Sequence, residues 1–132
     1  MTSQELQERI AAVLDQARQV LADQPERRQP YAAVVSTIDT LRWEYASSGI
    51  ERTPPVRRCM GHLQAAAGAL NLLGMAMEAR SLQVAHSLPH RLDDVLPPLI
   101  NASGFQVGMA GKHLATWRTG AETEEREVTH AC

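Results

Sequence analysis

The stretch Gly104-Phe-Gln-Val-Gly-Met-Ala-Gly-Lys-His-Leu-Ala115 has the spacing of a helix yet carries three glycines, Gly104, Gly108 and Gly111. A glycine inside a helix costs roughly 1 kcal/mol relative to alanine. Three in eight residues need a compensating gain. On a helical wheel Gly104, Gly108, Gly111 and Ala115 fall in one narrow seam. Upstream, Gly61, Ala65, Gly68 and Leu72 repeat the same spacing of four, three, four. Small residues so placed let helix backbones approach below the usual 8–10 Å. The expectation is that the two seams face each other inside one bundle, or that each faces its own copy across a dimer. A phosphate-binding loop is the competing reading of "GMAGK". It fails twice, because Gln106 and His113 stand where a glycine and a Ser/Thr are needed.

Working outward, the last helix is expected over residues 98–119. Ile100, Val107, Leu114 and Trp117 line one side of it, and Phe105 and Met109 the other. A helix apolar on two sides is central in its domain or lies at a subunit interface. Before it, Pro54 suits the first position of a helix running to about His86, with Cys59, Leu63, Ala66, Leu70, Leu73 and Met77 on one side. "PHRLDDVL", residues 89–96, reads as a short helix closed by Pro97 and Pro98. Towards the N-terminus, "TSQE" at residues 2–5 is a capping box opening a helix to residue 24. A second helix is expected from Pro30 to about Ala46, with Gly49 as its left-handed stop. No segment alternates long enough to predict a strand. The sequence therefore predicts an all-α, up-and-down bundle of four long helices plus one short one, with the third and last helices closely packed at the centre. It occupies residues 1–119 as a single domain. The acidic stretch "GAETEEREVTHAC", residues 120–132, has little apolar content and reads as a disordered tail.

At 132 residues the chain is long enough to bury a core without staples. Aromatics are only 4%, so that core must be aliphatic. A net charge of -2 argues against an overall nucleic-acid footprint. Cys59 and Cys132 read as reduced thiols, and no signal peptide or spanning segment is apparent, which predicts a cytoplasmic protein.

Three constellations are candidates for chemistry. In "ERTPPVRRCMGH", Arg52, Arg57 and Arg58 surround the start of the third helix, where guanidinium and free N–H groups suit an anion. Trp43, off the apolar stripe of its helix, is a candidate contact for a partner or ligand. The second set is catalytic: His62 and Arg80 share an angle on the third helix, and His113 joins from the last, giving an acid–base group and an anion holder. The third is a weak metal set of His86, His90 and Asp93, which Pro89 interrupts.

These support three functional expectations. The leading one is a small binding or regulatory protein acting through a helical surface or an intra-bundle pocket, self-associated as a dimer. It requires no cofactor and has no membrane or nucleic-acid partner. The alternative is a cofactor-independent helical enzyme acting on an anionic small molecule. The weakest is a ribonuclease of the R-x(4–6)-H kind, matched by Arg57–His62 and Arg80–His86. Twelve arginines and five histidines give about 1.4 such matches by chance, so two matches carry little information.

Overall fold

The computed structural model describes residues 1–85 and 92–120. Four helices, α1 (Ser3–Asp23), α2 (Arg28–Ala46), α3 (Pro54–Ala85) and α4 (Leu96–Thr119), form an all-α bundle, with a short 3₁₀ turn at Leu92–Asp94 before α4. No strand occurs among the described residues. The end signals act as their chemistry requires. The Thr2 hydroxyl accepts from the Glu5 backbone N–H, and the Glu5 carboxylate accepts from the Thr2 backbone N–H. Gly49 and Gly120 hold positive φ of 73° and 70° at the ends of α2 and α4. Two boundaries differ from expectation: α2 starts at Arg28 rather than Pro30, and α4 at Leu96 rather than Pro98. In both, proline sits within the first turn, where its missing N–H has no intrahelical partner to lose. Part of the predicted short helix is the 3₁₀ turn, and its first residues lie outside those described.

The core is aliphatic. Leu6, Ile10 and Leu14 of α1 and Ile38 and Leu41 of α2 are fully buried, together with Leu63, Leu70 and Leu73 of α3. Val107, Ala110 and Leu114 close it from α4. Each set recurs at helical spacing, so each helix buries one stripe. Tyr31 is the one large aromatic wholly inside, and its hydroxyl donates to the Pro25 carbonyl at 2.9 Å. Burial pushes its phenol pKa upward.

The most extensive helix–helix contact is α3 against α4, as the sequence predicts, followed by α2 against α3. The glycines are not the reason. A Cβ at Gly61, Gly68, Gly104 or Gly108 would meet nothing within 4 Å. Those seams point outward, and the expectation that they face each other inside the bundle is corrected. Close approach occurs at two other contacts. A Cβ at Gly74 would lie 2.7 Å from the Tyr31 Cβ, so α2 packs onto α3 there. One at Gly111 would lie 2.8 Å from Arg18 Nη2, against α1 rather than α3.

Candidate functional site

The cyclic order α1, α2, α3, α4 leaves α3 with two flanks, one towards α2 and one towards α4. The predicted site residues divide between them.

On the α2 flank a groove of about 370 Å³ opens between the last turns of α2 and the first turns of α3. Arg42 and Tyr45 come from α2, Arg52 from the connecting loop, and Arg57, Met60 and Gly61 from α3. Among the described residues no carboxylate lines it. Arg52 donates to the Ala46 carbonyl at 3.2 Å, and its guanidinium carbon lies 4.6 Å from the centre of the Tyr45 ring. The groove thus unites two predicted anion-site residues, Arg52 and Arg57, with Arg42, which sequence reasoning missed. Arg58, next along the helix, does not line it, nor does Trp43, which is 80% exposed on α2. The expected contribution from free N–H groups is small. Pro54 and Pro55 have none, and the Arg57 N–H donates to the Thr53 carbonyl at 3.0 Å.

On the α4 flank, His62 and His113 meet. Their rings are parallel within 3° with centroids 5.4 Å apart. His62 Nδ1 lies 2.6 Å from Gln106 Oε1. Since an amide oxygen only accepts, Nδ1 is the donor in this contact as the Gln106 amide is oriented. Arg80 shares the face of His62 but lies 18 residues further along α3, roughly 27 Å at 1.5 Å per residue. There it forms ion pairs with Asp93 and Glu26. The structure brings two of the three catalytic candidates together and leaves Arg80 apart. Arg57 and His62 likewise have different neighbours, the α2 groove and α4. Of the weak metal set, Asp93 is paired with Arg80, and His86 and His90 lie outside the described residues.

A third feature is the outer face of the α3/α4 pair. Leu72 is 54% exposed and Phe105 60%. Around them lie exposed Ala65, Ala102 and Gly108 and the half-buried Ala69 and Met109. The His62–Gln106 and His62–His113 contacts set an antiparallel register in which Ala69 comes level with about Ala102, with Leu72 and Phe105 roughly a turn to either side of that level. Charge is scarce on these helices. In the 32 residues of α3 the charged side chains are Arg57, Arg58, Glu78 and Arg80, and in the 24 of α4 they are Lys112 and Arg118. Ordinary soluble domains average about 25%. No described helix is long and apolar enough to cross a membrane.

Comparison with known proteins finds no family model, no curated protein and no solved structure that matches this chain.

Proposed function

We propose that this chain is a helical binding protein whose working surface is the outer face of α3 and α4, and that the surface is occupied by a second copy of the chain. The observation that carries the reading is the exposure of Leu72 and Phe105 on a two-helix face almost without charge. Size supports it. Two helices side by side span roughly 20 Å, and the 24 residues of α4 run about 36 Å. The resulting face of about 700 Å² is close to the ~800 Å² per partner of a standard interface.

Charge supports a second copy as the occupant. Arg58, Lys112 and Arg118 lie at one end of the α3/α4 pair, and Glu78, Asp93 and Asp94, offset in part by Arg80, at the other. A two-fold axis lying across the helices sets the basic end of each copy against the acidic end of its partner. The open positions at Gly68 and Gly108 leave low ground on that face for side chains of the opposite copy.

Leu72→Glu combined with Phe105→Glu should halve the size measured by light scattering after gel filtration, with the helical circular dichroism unchanged. A wild type and variant of equal size would contradict the proposal.

The second reading, a small enzyme, is favoured by the meeting of His62, His113 and Gln106 on the α3/α4 flank. His62→Gln separates the two. Under the binding reading the dimer persists, and no activity found for the chain depends on His62. Loss of turnover in a folded, dimeric variant would favour the enzyme.

A further inference from the structure

We infer that the groove between α2 and α3 is a binding site for a small phosphorylated organic molecule carrying two or more negative charges. The inference does not rest on the dimer. Three guanidinium groups, those of Arg42, Arg52 and Arg57, line one groove of about 370 Å³ with no carboxylate among its described lining residues. Arginine stays charged at every physiological pH, so the groove holds concentrated positive charge in a chain whose net charge is -2. Most of that charge is not spent internally. Arg52 is held by a carbonyl and a tyrosine ring, neither of which neutralises it. Arg57 has no ion pair among the described residues. Arg42 has one, with Asp39 at 3.4 Å, and Asp39 does not line the groove.

Phosphate fits this arrangement better than a single carboxylate. Its oxygens accept from several guanidinium forks at once, and its second charge matches the excess of cations. The cations occupy only part of the lining. Tyr45, Ala46, Met60 and Gly61 supply apolar surface beside them. That division, a few convergent charges against an apolar wall, is how small-molecule sites fix one end of a ligand and desolvate the other. Gly61 keeps the space open, since a Cβ there would meet nothing within 4 Å. An extended nucleic acid is a poorer match, because these three guanidinium groups converge on one small groove.

The test is a heteronuclear NMR titration of the full chain with phenyl phosphate and, in parallel, with inorganic phosphate. Phenyl phosphate should shift the Gly61 and Gln64 amides saturably, with a Kd below about 1 mM. Inorganic phosphate should bind the same residues more weakly. Arg57→Gln should weaken phenyl phosphate about tenfold or more. Gly61→Leu should do the same while leaving every charge in place. Arg18→Gln, on α1 and paired there with Asp15, should bind as the wild type does. The inference is overturned if phenyl phosphate does not saturate, or if Arg57→Gln and Gly61→Leu both bind it normally. Inorganic phosphate binding as tightly as phenyl phosphate would overturn the organic class of ligand.

Discussion

Cys59 shows how far burial alone changes a residue's chemistry. Its thiol is 0% exposed within α3, and burial pushes its pKa from 9.0 to about 12. The thiolate is the reactive form, so Cys59 is inert at neutral pH. In a Cys132→Ser variant, the folded protein should give no thiol colour with an aromatic disulfide reagent until denaturant is added. Immediate reaction of one thiol per folded chain would contradict the burial. The same shift has a pH consequence. A folded-state pKa above the unfolded one contributes stability that is complete below about pH 9 and is lost as pH rises towards 12. Tyr31 acts in the same direction from about pH 10 upward. Denaturant midpoints should therefore fall between pH 9 and 12, and fall less steeply in Cys59→Ala. Parallel slopes in the two proteins would remove Cys59 as a cause.

Between elements, the glycines divide by what stands opposite them. Gly74 faces the Tyr31 side chain, so Gly74→Ala forces α2 away from α3 and should cost about 1–3 kcal/mol. Gly104 faces open space within the protomer, so Gly104→Ala should stabilise the helix by up to about 1 kcal/mol. Thermal denaturation of the two variants should move in opposite directions, and movement in the same direction would refute the assignment. This contrast also marks what the sequence reveals. The Thr2–Glu5 cap, the proline starts and the apolar stripes set four helices, because each is a local signal with one structural outcome. The rotation of α3 and α4 is not legible. A wheel shows which residues share an arc but not which arc meets a neighbour, and α4 is apolar on two arcs. Gly74 carries no pattern that separates it from Gly68, since its partner Tyr31 is 43 positions away in sequence. Arg52 and Arg57 stand out beside the prolines of a helix start. Arg42 does not, because only the packing of α2 on α3 brings it to them.

At the scale of the whole molecule, α1 and α2 have ordinary half-polar outer surfaces, whereas α3 and α4 keep apolar residues on both core and outer faces. The proposed burial of Leu72 and Phe105 against a second copy would account for the scarcity of charge on the two longest helices. It would also give Gly68 and Gly108 a use that the isolated bundle does not. Sedimentation equilibrium of the unmodified chain across a range of concentrations tests this most directly. The interface predicts a mass of twice the 132-residue chain, falling to one chain only on dilution. A single-chain mass at every concentration would contradict it.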